Sequence, residues 1–302
     1  MNAHTLKCHF CPKCDGFGCI NELPGMGGFG NNINFQLNCA AWAAIPVKKA
    51  GSLDMPSEAY HIPAIRLAPI TGAVENVGYK DEESFYIDII HAADEAGVKL
   101  AIGDGCPDIK LLSGIKAVEK RKTVNPRAAA AVFIKPYPNE RILERFEWSR
   151  PVAEIIGVDI DSYNILTMRR LVQLEKKSAE QLAELKKKAG IPFAVKGVFN
   201  AEEVDMVKKL KPDIVVISNH GGRVENRTGS TAEFLAEYGS VLKANCAELW
   251  VDGGIRTHRD ILAAGSLGVC EVMIGRPFIS ALCASGAVGV KEAAKKLRGE
   301  QG

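Results

Sequence analysis

The sequence predicts an α/β chain folded as a (β/α)8 TIM barrel, and three observations carry that expectation. Eight short apolar runs rich in β-formers alternate with segments of helical spacing along most of the 302 residues. The runs are nearly continuous in apolar residues, as expected of parallel strands covered on both faces. Thr71, Asp159, Lys196, His220, Asp252 and Arg276 all fall at or just after the ends of those runs, and in a barrel this is the face where sites assemble. An open doubly wound sheet is the alternative that the same alternation allows.

In chain order the strands are expected at AIRLAPI (64–70), KLAIGD (99–104), AAVFIK (130–135), IIGVDI (155–160), FAVKGV (193–198), IVVISN (214–219), LWVDGG (249–254) and EVMIG (271–275). Gly97, Pro212 and Gly268 stop the segments before the second, sixth and eighth. The clearest helical pattern is LVQLEKKSAEQLAELKKKAG (171–190), where Leu171, Leu174, Ser178, Leu182 and Leu185 recur every three or four residues. Its lysines complement the carbonyl end of the dipole, and Gly190 with Pro192 supplies the stop. Residues 59–302 therefore read as the barrel, and 1–58 as a Cys/Gly-rich segment covering it.

Composition bounds the function. A 47% apolar and 25% charged chain has the make-up of an ordinary globule with a sizeable core. Thirty-eight basic and 36 acidic residues are intermixed for a net charge of +2, which gives no field to gather nucleic acid or a membrane surface, so a small molecule is the expected partner. The longest apolar run, AAAAVFI (128–134), is too short to span a bilayer, and the cysteines and lysine near the N-terminus break any signal-peptide pattern. A cytoplasmic protein is expected, with its nine cysteines as thiols or metal ligands before disulfides.

Two motifs suit an anion. VDGGIR (251–256) and IGRPF (274–278) end the last two strands. Glycines there admit a close backbone approach, helix N-termini attract negative charge, and Arg276 can fork onto phosphate oxygens. Lys196 interrupts an apolar strand and needs an acid, solvent or an electron-rich ligand, a salt bridge to Asp159 being the structural alternative. In VVISNHGGRVEN (215–226), His220 is suited to taking a proton and Arg223 to gripping a carboxylate. His4, His61, His91 and His258 read as structural.

Taken in this order and with these separations, VKGV, VVISNHGGR, VDGGIR and IGRPF resemble the FMN-dependent 2-hydroxy-acid dehydrogenases and oxidases, the family of glycolate oxidase and lactate oxidase. The resemblance is strong over about 190–290 and traceable over 60–165. It implies an FMN enzyme in which His220 is the base, Asp159 orients it, and Arg223 and Tyr137 bind substrate. Pro69, Thr71, Gly72, Lys196 and Ser218 would contact the flavin, together with Lys135, which stands where the family usually has a glutamine. Asp252, Gly253, Gly254, Arg256, Gly275 and Arg276 would hold the ribityl phosphate. The implied reaction takes a 2-hydroxy acid, lactate- or glycolate-like, to the 2-oxo acid, passing two electrons to the flavin and on to an acceptor the sequence does not name. The resemblance also implies a homo-oligomer.

Two departures stand out. Only a helix-length stretch separates Asp159 from Lys196, where the family has a long segment with a second substrate arginine; Arg169 and Arg170 are the candidates to replace it. The N-terminus carries Cys8, Cys11, Cys14 and Cys19 as C-x2-C-x2-C-x4-C, a set able to hold an iron-sulfur cluster or zinc, or else free thiols. The following PGMGGFGNN precedes no strand-helix pattern and reads as a loop. The departures keep open another FMN-barrel reaction, an isomerase or reductase, and a flavin-binding redox sensor.

Overall fold

The computed structural model describes residues 33–47, 62–164, 172–224 and 227–300. Its strands are β1 (Ala64–Leu67), β2 (Leu100–Gly103), β3 (Ala130–Ile134), β4 (Ala153–Asp159), β5 (Phe193–Val198), β6 (Ile214–Ile217), β7 (Glu248–Asp252) and β8 (Glu271–Ile274). All pair in parallel with their sequence neighbours, and β8 pairs with β1. The remaining seam, β1 to β2, is joined by Leu67 N–H donating to Lys99 O at 2.8 Å and Lys99 N–H to Ile65 O at 3.1 Å. The barrel is closed, and the open-sheet alternative is set aside.

Helices α1 (Ile33–Ala41), α2 (Ala73–Asn76), α3 (Glu82–Glu95), α4 (Ile109–Lys122), α5 (Asn139–Ser149), α6 (Ala179–Ala189), α7 (Ala201–Leu210), α8 (Thr231–Lys243), α9 (His258–Ser266) and α10 (Arg276–Arg298) complete the described fold. α10 is broken at Ser285 and Gly286, where the backbone leaves helical values. Four helices start on capping boxes: Ser178 with Gln181, Asn200 with Glu203, Ser230 with Glu233, and Thr257 with Asp260. The first of these corrects the expected helix over 171–190. Ser178 satisfies the Gln181 N–H, so the helix starts at Ala179, and Leu174 lies in non-helical chain ahead of it. No helix among the described residues is long and apolar enough to cross a membrane.

Side chains alternate strictly between the barrel interior and the helical layer. Ala101, Ala131, Phe133, Ala194, Ile214, Val216, Trp250 and Met273 fill the interior. Its floor is ionic: buried Arg66 lies over the Trp250 ring and donates to Glu271 Oε2 and Glu154 Oε1, each at 2.7 Å. The helix-facing side chains form the larger core.

Candidate active site

The alternation that fills the interior also delivers a polar top layer. Two residues beyond Phe133, Gly157, Ala194, Val216 and Trp250, the inward positions are Lys135, Asp159, Lys196, Ser218 and Asp252, all buried. Lys135 Nζ donates to Asp159 Oδ2 and to Ser162 Oγ, both at 2.8 Å. Lys196 Nζ lies 3.1 Å from Asp159 Oδ1, 3.1 Å from Ser218 Oγ and 3.6 Å from Asp252 Oδ2. Burial would push the Asp159 carboxyl up, but the ammonium groups of Lys135 and Lys196, with His220 beside them, hold it well below the usual range. Burial works against the Lys196 charge too, and the carboxylates of Asp159 and Asp252 more than offset it.

His220 follows β6 on a strained turn. Its φ is 55°, and Gly221 and Gly222 continue in the left-handed region at 66° and 91°, a conformation that costs a side-chain-bearing residue about 1 kcal/mol or more. The turn is held by Asn219 Oδ1, which accepts from Gly222 N–H at 2.9 Å, and by Ser218 Oγ, which accepts from His220 N–H at 3.1 Å. His220 Nδ1 is 3.0 Å from Asp161 Oδ1 and 3.6 Å from Asp159 Oδ2. Burial and the positive charges of Lys135, Lys196 and Arg223 keep the imidazole well below its usual pKa, against the pull of Asp159. It is therefore neutral at neutral pH. Asp161 is pushed well above the carboxylate range by burial and by the Asp159 charge.

Asp161 reaches this position because β5 bulges. The β5–β6 register shifts between Lys196 and Val198, and Gly197 takes φ +100°. A Cβ at Gly197 would lie 2.6 Å from Asp161 Cγ, so only glycine leaves room for the carboxylate. Asp159, Asp161 and His220 bring donor atoms within 4.8 Å of one another, but two ammonium groups already engage Asp159. The cluster manages charge and protons rather than a metal ion.

Arg223, Arg256 and Arg276 also line the mouth. Burial first, and then the charges of Arg223 and Arg256, bring Arg276 down to about 9. Three guanidinium groups so close together create a strong demand for an anion. The Arg276 guanidinium lies 4.2 Å from the Phe35 ring centroid, and that of Arg256 lies 6.0 Å from it.

Phe35 belongs to α1, which braces the mouth. Asn38 and Asn219 exchange amide hydrogen bonds at 2.8 and 3.0 Å, and Asn38 Oδ1 also accepts from Thr231 N–H at 2.9 Å. One turn earlier, Asn34 donates to Val224 O and Arg227 O, both at 2.8 Å, and accepts from Gly229 N–H at 2.9 Å. A Cβ on Gly254 would lie 1.9 Å from Asn38 O, so this glycine admits the helix, a purpose the motif alone did not reveal. Asn38→Ala removes two hydrogen bonds from the Asn219 amide and the side-chain partner of the Thr231 N–H, and should cost about 2–3 kcal/mol in urea unfolding; a change within error would mean that water replaces the amide.

The strand-end groups line a cavity of about 140 Å3 that opens to solvent. Pro69, Thr71, Lys135, Asp159, Lys196, His220, Arg223, Asp252, Gly253, Gly254, Arg256, Gly275 and Arg276 line it, as their strand-end positions predict. Three expected site residues do not. Ser218 lies beneath the wall, donating to Asp252 Oδ2 at 2.8 Å. Gly72 caps α2 and gives its N–H to Glu82 Oε2 at 3.2 Å. Tyr137 is 1% exposed, its ring 4.4 Å from the Arg145 guanidinium and 4.8 Å from that of Arg141, and its hydroxyl donates to Gly105 O at 3.5 Å; these cations draw the ring away from the cavity. Sequence reasoning passed over Asp161, Phe35, Asn38 and Asp104, a buried cavity-lining carboxylate whose burial, opposed by Arg145, pushes it up to about 6. Cys8, Cys11, Cys14, Cys19, Arg169, Arg170 and the glycine-rich stretch lie outside the described residues.

Compared with known proteins, residues 111–301 match the profile of the FMN-dependent dehydrogenase family. The chain belongs to that family. Over 125 residues it is 38% identical to an L-lactate dehydrogenase (cytochrome) of Saccharomyces cerevisiae, covering 40% of this chain and 21% of the relative. Over 119 residues it is 34% identical to an L-lactate oxidase of Lactobacillus jensenii, covering 39% and 29%. Over 121 residues it is 33% identical to a 2-hydroxyacid oxidase 2 of Bos taurus, covering 40% and 34%. The matched region thus spans about a third or less of these relatives. The fold is also that of a mandelate oxidase variant with an FMN monooxide adduct (TM-score 0.68, 21% identity, 91% of this chain and 86% of that one) and of flavocytochrome b2 with sulfite bound (0.68, 22%, 88% and 73%).

The residues present fit the family's cofactor. The guanidiniums of Arg256 and Arg276 beside Gly253, Gly254 and Gly275 suit a phosphate monoester. Asp252 Oδ1 is buried with no donor among the described residues, and the Lys196 ammonium beneath it suits a ring that gains negative charge.

Proposed function

We propose that this family member oxidises a 2-hydroxy acid of the lactate or glycolate type to the 2-oxo acid. The observation carrying the reading is a neutral imidazole, His220, and a cationic guanidinium, Arg223, facing one cavity from a single strained turn. In the proposed cofactor site, Arg256, Arg276, Asp252, Gly253, Gly254 and Gly275 hold the phosphate end of FMN. Pro69, Thr71, Lys135 and Lys196 line its ring, with Ser218 and Gly72 acting through Asp252, Lys196 and α2. Bound there, FMN would supply the acceptor for the two electrons the substrate loses as its hydroxyl-bearing carbon is oxidised.

The residues divide the remaining work. Arg223, lowered to about 10 by burial but still charged at neutral pH, anchors the substrate carboxylate and fixes which hydrogen faces the reacting centre. His220 takes the proton released at the hydroxyl-bearing carbon, and the neighbouring carboxylates stabilise the imidazolium that forms. Anaerobic titration with a panel of short 2-hydroxy acids should bleach the flavin spectrum. Bleaching by none of them, with reduction by dithionite intact, would overturn the reading in favour of another FMN-barrel reaction.

The wider assignment is proposed on the same terms. Cys8, Cys11, Cys14 and Cys19 carry four thiols at a spacing suited to an iron-sulfur cluster or zinc; metal analysis of anaerobically purified protein tests it, and a metal-free protein with four titratable thiols there refutes it. The cysteines among the described residues form no disulfide, which supports a reducing, cytoplasmic setting. A homo-oligomer and a separate electron acceptor rest on the family resemblance, and are tested by sedimentation and by rapid mixing of the reduced enzyme with oxygen or a quinone.

A further inference from the structure

The aspartate matched to the family's base-orienting carboxylate is Asp159, yet its oxygens are already committed. Oδ2 accepts from Lys135 and Ser162 and Oδ1 from Lys196, at 2.7 to 3.1 Å. Its nearest approach to His220 is 3.6 Å, beyond a hydrogen bond. Asp161, two residues on, stands 3.0 Å from His220 Nδ1, with the Asp159 carboxylate as its other side-chain neighbour. Its Oδ2 is buried with no partner among the described residues, and the Gly197 bulge opens the space it occupies. We infer that Asp161 is the positioning residue that sets the tautomer of His220, while Asp159 serves as counter-ion to the two lysines.

This rests on the reading of His220 as the base. With Asp161 ionised, Nδ1–H donates to Oδ1 and the lone pair on Nε2 is left to accept the substrate proton. Protonated Asp161 reverses the bond: it donates to Nδ1, the ring proton moves to Nε2, and the accepting lone pair is lost. The pair gains one proton from solvent on the Asp161 carboxylate, while the Nδ1–H bond breaks and an Nε2–H bond forms. The charges facing the pair are Lys135 from β3, Asp159 from β4, Lys196 from β5, Arg223 from the turn after β6 and Asp252 from β7. The cations favour the ionised carboxylate, and Asp159 and burial oppose it, so the switch lies above the ordinary carboxylate range.

Nitrogen-15 spectra of histidine-labelled, FMN-loaded protein read the tautomer without turnover, with H220N assigning the signal among the six histidines. The expected result is a protonated Nδ1 and pyridine-like Nε2 at pH 8, exchanging toward the opposite tautomer on acidification. D161N, whose amide can donate to Nδ1, should show the opposite tautomer at every pH, reduce the flavin 10- to 100-fold more slowly and leave FMN affinity unchanged. D159N should keep the Nδ1–H form and shift FMN affinity. A wild-type protein with Nε2 protonated at pH 8, or a tautomer that follows D159N instead of D161N, overturns the inference, even if D161N fails to fold. Loss of the base role itself would appear separately, as undiminished reduction in H220N.

Discussion

His220→Asn is expected to keep the protein yellow and folded while slowing flavin reduction by a 2-hydroxy acid roughly 10^2- to 10^4-fold, the usual contribution of a positioned general base. Asparagine is the substitution of choice because residue 220 sits at φ 55°, where asparagine is among the side chains least penalised. FMN should stay bound, because the proposed phosphate contacts come from the ends of β7 and β8, and Arg276 meets the turn through the Gly221 carbonyl rather than the His220 side chain. Stopped-flow absorbance under anaerobic conditions measures the loss, and FMN fluorescence quenching measures retention. A reduction rate within threefold of the wild type would remove His220 from the chemistry and leave Arg223 as an anion clamp in search of another reaction.

Asp159→Ala should be the most costly substitution for stability. It strands Lys135 and Lys196, 6% and 3% exposed, in a layer with Asp252 and Asp161 as the remaining carboxyl groups near Lys196. Breaking a buried ion pair from one side typically costs about 3–5 kcal/mol, and here one carboxylate serves two cations. Asp159 is held below its unfolded value of about 3.9, so it binds fewer protons folded than unfolded. Its stabilising share is therefore complete above about pH 4–5 and lost as pH falls through the folded pKa. Urea midpoints across pH should show the variant weaker at neutral pH, with the gap closing under acid. A gap below about 1 kcal/mol at pH 7 would mean that the lysines shed protons or admit water instead.

How much of this could be read in advance depends on how local each signal was. Every strand lay within a few residues of its apolar run, because burial on both faces leaves an uninterrupted signature. The top layer followed from counting in twos: Lys196 after Ala194 and Asp252 after Trp250 had to point inward once the strands were placed. What escaped detection depended on distant or irregular backbone. Asp161 reaches His220 through a bulge at Gly197 that no periodicity announces. Asn38 meets Asn219 across 181 residues of sequence, with no local pattern to mark the pair. Tyr137 was matched to a family tyrosine near the substrate, and its packing against Arg141 and Arg145, one turn apart on α5, had no local pattern to announce it. The early start assigned to α6 came from leucines whose spacing fits a helix, although the Ser178–Gln181 pair already marked where that helix begins.

The position of α1 bears on where the working unit of this protein begins. A truncated chain starting at residue 59 would retain all eight strands, but it would lose Trp42 and Ile45 from the main core. It would lack the amides that keep three consecutive left-handed residues in register and the aromatic ring on which two arginines rest. Both the packing of the barrel and the competence of its mouth thus draw on a helical segment that contributes no strand.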